Sequence, residues 1–140
     1  MFVDIVSRGG NLLLIVNLDG QGALPEVQEK RLKDIGKWLK VNGEGIYSTR
    51  AYAVSKENNV HFTRSKDNKT VYAISLDWPG KQLELKSVEP VAGSKIYLLG
   101  YDKPLNWSSK NGVTTITLPT NLQKAANRPC DYAYTFKIQK

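Results

Sequence analysis

The sequence predicts a mainly β chain with an N-terminal α/β portion: an antiparallel β-sandwich preceded by one strand of the barrel type and one long helix. Three observations carry this reading. Asn11 to Val16, NLLLIV, is a continuous apolar run of the kind required by a parallel strand buried on both faces. Apolar residues at helical spacing follow between Pro25 and Asn42. From Tyr52 onward the period drops to two, and short apolar stretches recur between Gly, Pro and Asn punctuation, as in a sandwich or small barrel.

Taken in order, Phe2, Ile5 and Val6 have helical spacing and Gly9-Gly10 would stop a helix, so the chain opens on the last turns of one. After the apolar run, Asp19-Gly20-Gln21-Gly22 is turn chemistry. Pro25 is placed as the first residue of the long helix. Leu32, Ile35 and Leu39, flanked by Val27 and Trp38, make one buried stripe, and the helix is expected to pack directly on the sandwich. Glu26 and Glu29 suit its N-terminal end, Lys37 and Lys40 its C-terminal end, and Asn42-Gly43 a C-terminal cap. Val60 and Phe62, then Tyr72, Ile74 and Leu76, alternate across Lys66 to Lys69 as a hairpin with one buried face. Further strands are expected at Leu83 to Leu85, Lys95 to Leu99, Leu105 to Trp107, Val113 to Leu118 and Tyr132 to Ile138. Tyr134 is in phase with Phe136 and Ile138 and reads as core.

A chain of 140 residues supports one ordinary core and is too short for a whole (β/α)8 barrel, which takes about 250. No apolar run approaches the roughly 20 residues of a membrane span, so no membrane partner is expected. No targeting signal is visible at Met1-Phe2-Val3-Asp4, and localisation stays open. The single Cys130 excludes an internal disulfide and reads as a structural thiol; with one histidine, no metal cluster is expected. Net charge is +7, and it is uneven. Residues 1–52 hold seven Lys/Arg against six Asp/Glu, and residues 53–140 hold thirteen against seven. The basic residues of the second half (among them Lys56, Arg64, Lys81, Lys86, Lys95 and Lys110) are dispersed and carry no recognition signature, so nucleic acid is not expected as a partner.

Gly36-Lys37-Trp38-Leu39, Val41-Asn42-Gly43-Glu44 and Ile46-Tyr47 resemble the segment that closes the catalytic barrel of the alpha-L-fucosidases, glycoside hydrolase family 29. The resemblance extends upstream over Val3 to Leu14. Downstream it takes in Phe62-Thr63, Val71 to Ile74, Trp78-Pro79, Leu98 to Gly100 and Leu118-Pro119. It implies that residues 1–52 are the end of a (β/α)8 barrel and residues 53–140 a C-terminal β-sandwich that braces it. It also implies an activity, retaining hydrolysis of alpha-L-fucosyl linkages without metal or cofactor. Members of the family are often secreted or periplasmic. The two carboxyl groups of a retaining glycosidase stand about 5 to 5.5 Å apart. The family takes both from earlier barrel segments, so no catalytic residue is assigned and the chain alone is expected to be inactive.

Candidate ligand residues are Asn17 and Asp19, because they follow the barrel-type strand at the end where barrel active sites lie. The family continues Leu-Leu-Leu with Asn, an aliphatic residue and Gly-Pro, whereas here Ile15, Val16, Asn17 and Leu18 follow. Trp78 and Trp107 are candidates for stacking on sugar rings. His61 has no motif-linked Ser, Cys or Asp and reads as a packed or surface residue. Partners to weigh are a separate fucosidase barrel, fucosylated glycans bound by an independent carbohydrate-binding module, and a second copy joined through residues 11–16. That last segment, without barrel neighbours, would join the sandwich, lose order or pair between molecules.

Overall fold

The computed structural model describes all residues, 1–140. Its elements are helices α1 (Phe2–Ser7) and α2 (Glu26–Asn42), followed by eight strands: β1 (Arg50–Glu57), β2 (Val60–Arg64), β3 (Thr70–Ser75), β4 (Gln82–Leu85), β5 (Ile96–Leu98), β6 (Pro104–Lys110), β7 (Val113–Thr117) and β8 (Tyr134–Gln139). All strand pairs are antiparallel, in the order β1-β2-β3-β8-β5-β6-β7-β4. β6 passes between the two layers. Its first residues pair with β5, Ile96 opposite Leu105, and its remaining length pairs with β7, Trp107 opposite Ile116.

Alternation builds the core between the layers. Phe62, Val71, Ala73, Ile96, Leu98, Phe136 and Ile138 come from one layer, Leu83, Leu85, Ile116 and Leu118 from the other, and Leu105 from the crossing strand β6. Tyr134 is buried with them, as its phase predicts. The hairpin β2-β3 departs from the expected single buried face. Every residue from Val60 to Thr63 and from Val71 to Ser75 is buried. The cause is a helical layer on the outer face, where Val3, Trp38 and Ile46 pack on Ile74 and Ala133. The polar residues that alternation places beneath it are satisfied there. His61 meets Ser7, and Thr63 Oγ1 donates to the Gly45 carbonyl at 2.6 Å. A Cβ on Gly45 would stand 2.8 Å from Thr135 Cγ2, so this close approach needs glycine.

Three expectations need correction. First, Asn11 to Val16 forms no strand: no backbone hydrogen bond pairs the run with another segment, and it leaves the free edges at β1 and β4 alone. Second, only the C-terminal end of α2 packs as foreseen. Trp38 and Asn42 are its buried residues; Leu39 is partly buried, while Leu32 and Ile35 lie on the exposed side and Val27 is 63% exposed. Third, Pro25 stands just before the helix with ψ 136, its carbonyl accepting from the amides of Gln28 and Glu29; Gly43 is the C-cap as expected, and continues right-handed into a 3-10 turn.

β1 is a strand the alternation did not outline as a whole, since it is an edge with little burial on either side. Its pairing with β2 slips. Ala51 faces Thr63 and Lys56 faces His61, so residues 52–55 stand opposite Phe62 alone. The bulge bends β1 toward the other layer. There Tyr52 Oη donates to the Ser87 carbonyl at 3.0 Å, and the Glu57 carboxylate accepts from the Lys86 and Ser87 amides at 2.9 and 2.8 Å.

Candidate functional site

The stretch from Leu12 to Leu18 and the first turns of α2 form an exposed apolar surface. Leu13 is 86% exposed, Ile15 78% and Leu18 61%. The stretch runs along α2, where Leu14, Ile15 and Val16 share a shallow hollow with Gln28, Arg31 and Leu32. One hydrogen bond ties the two, from the Asn17 amide to Gln28 Oε1 at 3.1 Å. The segment and the first turns of α2 thus leave their apolar side chains largely uncovered. Beside it, Phe2, Ile35, Trp38, Leu76 and Tyr132 line a mainly apolar cavity of about 410 Å³ with Arg31 and Asp34 in its wall.

Asn17 and Asp19 lie at the end of this segment, both exposed. Asp19 is engaged locally: Oδ1 accepts from the Gln21 and Ala23 amides at 2.9 and 2.8 Å, closing its own turn. Trp78 and Trp107 lie elsewhere, on the sandwich, and the structure does not bring them to Asn17. Trp78 meets the Tyr134 ring edge-on at 4.9 Å, carries the Arg128 guanidinium 4.6 Å from its centre, and donates Nε1–H to Gln123. Trp107 donates to the Ser94 carbonyl at 2.8 Å. Each indole is partly buried against the core.

Folding gathers one cluster that spacing could not show, since its members are 54 residues apart. Ser7 Oγ lies 3.1 Å from His61 Nδ1, and Asp4 Oδ1 lies 3.7 Å from the same nitrogen. In a nucleophilic triad the hydroxyl and the carboxylate occupy opposite ring nitrogens. Here both face Nδ1, and Ser7 spends its proton on the Asp4 carbonyl at 2.9 Å. The cluster therefore fastens α1 to β2 and relays no proton. Burial lowers the His61 pKa, Asp4 opposes that shift, and Lys56, the N-terminus and Arg8 add to it.

Other ionisable groups are likewise held in structural contacts. Glu44 Oε1 accepts from Tyr72 Oη at 3.0 Å and from Lys137 Nζ at 2.6 Å, and burial together with that carboxylate pushes the Tyr72 phenol well above its ordinary range. Cys130 accepts from Asn42 Nδ2 at 3.3 Å and approaches the Ala133 carbonyl at 3.2 Å, and burial raises its pKa. Trp38 Nε1 donates to that same carbonyl at 2.8 Å, which joins α2 to the segment leading into β8.

Comparison with known proteins divides the chain along the same line as its surface. The family described as alpha-L-fucosidase matches residues 1–44, which hold most of the exposed apolar side chains. The alpha-L-fucosidase C-terminal domain matches residues 55–139, which build the sandwich core. Plasma alpha-L-fucosidase of Rattus norvegicus is 35% identical over 142 residues, 97% of this chain and 30% of that protein. Plasma alpha-L-fucosidase of Homo sapiens is 41% identical over 118 residues, 79% of this chain and 25% of that protein. Among solved structures, Thermotoga maritima alpha-fucosidase in complex with a mechanism-based inhibitor superposes with a TM-score of 0.82 at 27% identity, over 99% of this chain and 32% of that one. The chain thus spans about 30% of the length of the curated relatives it matches.

Proposed function

This chain belongs to the alpha-L-fucosidase family, and on that premise we propose that it serves as the C-terminal accessory part of such a glycosidase. Residues 1–52 contribute the last strand and helix of a catalytic barrel, and residues 53–140 are the sandwich that braces it. The observation that supports this best is the exposure of Leu13, Ile15, Leu18 and Val27 in the part matched by the alpha-L-fucosidase family. An apolar strand-like segment with no paired neighbour has the surface a barrel would cover and the backbone groups it would pair.

In this reading the catalytic carboxylates lie in other barrel segments and this chain supplies none. Asp19 and Asn17 reach the active-site end of the barrel at most as loop residues, and the sandwich acts by holding α2 through Trp38. The test is release of chromophore from an aryl alpha-L-fucoside. The chain alone should show no turnover above a protein-free control. Mixing it with a barrel polypeptide truncated before the matched third of the Thermotoga maritima enzyme, or fusing the two, should produce turnover. Hydrolysis that follows the isolated chain through purification overturns the accessory reading.

A further inference from the structure

One end of the sandwich carries charge that bracing a barrel does not use. Alternation along β2 puts Arg64 on the side of Phe62, and alternation along β8 puts Lys140 on the side of Phe136 and Ile138, all three apolar residues being fully buried in the core. Arg50 stands directly opposite Arg64 in the β1-β2 ladder. Like charges so placed repel. No carboxylate side chain compensates them: the Lys and Arg ion pairs of the chain are Arg8–Asp4, Lys33–Glu29 and Lys137–Glu44. Asp67, in the turn after β2, spends Oδ1 on Ser65 Oγ and the Lys69 amide.

The cations are also held in place. Arg64 donates from Nε to the Ala51 carbonyl and from Nη1 to the Ser65 carbonyl, each at 3.2 Å, and Arg50 donates from Nη1 to the Thr49 carbonyl at 2.8 Å. A guanidinium has five N–H donors, so each keeps several uncommitted. Lys140 Nζ lies 5.2 Å from the Tyr52 ring centre. Beside Arg64 and Lys140, and not reaching Arg50, is a groove of about 400 Å³ lined by Ala51, Tyr52, Ala53, Arg64, Asn68 and Lys140. It opens where the bulge of β1 takes Tyr52 and Ala53 off the ladder.

We propose that this groove binds an oxyanion carried on a saccharide, a sulfate ester or a uronate carboxylate, with Arg64 and Lys140 pairing the anion and Tyr52 walling the ring. The saccharide half rests on the fucosidase reading; the oxyanion half rests on the charge and geometry alone. A planar guanidinium with fixed donors suits such an anion better than a mobile ammonium does.

The test is titration of the 140-residue chain, followed by backbone amide shifts at constant ionic strength, with sulfated L-fucose, glucuronate, neutral L-fucose and inorganic sulfate. An anionic sugar should shift Tyr52, Ala53, Arg64 and Asn68 and bind at least tenfold tighter than L-fucose, the tighter of the two naming the anion. Arg64→Gln should weaken it at least tenfold, and Lys140→Ala at least threefold, while Lys103→Gln, in the β5-β6 turn toward the Thr135 end of β8, should change nothing. Binding of neutral L-fucose as tight as either anionic sugar, or unchanged affinity in the Arg64 and Lys140 variants, overturns the site. Inorganic sulfate binding as tightly as sulfated fucose overturns the saccharide assignment. None of these outcomes bears on whether a barrel polypeptide restores fucoside hydrolysis, so the two readings fail separately.

Discussion

His61 shows how a residue with no motif around it becomes a structural group with a pH signature. Unfolded, the imidazole takes a proton near its ordinary pKa of 6.5; folded, burial holds the pKa lower. Between the two values the unfolded chain binds more protons, so stability rises with pH there. The contribution is complete above about pH 6.5 and is lost as pH falls below it. Thermal unfolding of the native chain between pH 5 and 7.5 should show that decline, and His61→Asn, which keeps a donor near Ser7 without the titration, should flatten it. An equal decline in both chains would place the effect elsewhere. Cys130 makes the matching point for thiol chemistry. With its pKa raised by burial, it should react with a disulfide reagent at neutral pH at least tenfold slower than a free cysteine, a difference that denaturant should abolish. Equal rates in the folded chain would contradict the buried thiol.

At the scale of elements, α2 is two helices in one energetic sense. Its last turns are core: Trp38 is 7% exposed, and Trp38→Ala should cost about 3 to 5 kcal/mol in denaturant unfolding. Its first turns are exposed, so Val27→Lys should change the stability of this chain by less than about 0.5 kcal/mol while weakening association with a barrel polypeptide. A large loss of stability from Val27→Lys would mean that the N-terminal turns pack. Helical periodicity located this helix to within one residue, because apolar spacing and end charges are local properties. Which turns of the stripe are buried is not a local property. Leu32 and Leu39 are equally apolar in sequence, but only the latter reaches Trp38 and the outer face of the sheet. A second joint lies at Gly100, with φ +81, where a Cβ would stand 2.7 Å from both Pro129 Cβ and Val41 Cγ1. Here α2, the end of β5 and the segment before β8 converge, and Gly100→Ala should destabilise by about 1 to 3 kcal/mol. A neutral result would show that the loop relaxes.

For the whole molecule, a closed sandwich core and an exposed apolar flank sit on one short chain. Surface of that kind drives association unless it is covered. The mass in sedimentation equilibrium should therefore rise with concentration, and Leu13→Glu with Ile15→Lys should hold the chain monomeric without altering its unfolding midpoint. A concentration-independent monomer in the native sequence would show that the exposed flank does not drive association.

The sequence by itself determined what depends on local periodicity and turn chemistry: α2, the β2-β3 hairpin across residues 66–69, the later strands, and the core phase of Phe136, Ile138 and Tyr134. Its family motifs also placed the chain at the end of a fucosidase. Tertiary structure alone decided four matters. It left Asn11 to Val16 unpaired, since a strand exists only where a neighbour accepts its hydrogen bonds. It buried both faces of β2 and β3, since the covering layer comes largely from residues about 20 to 70 positions earlier in the chain. It shaped β1 through a bulge that no alternation encodes. It also set Arg50 opposite Arg64, because register is fixed by pairing across strands, and pairing is a property of the assembled sheet.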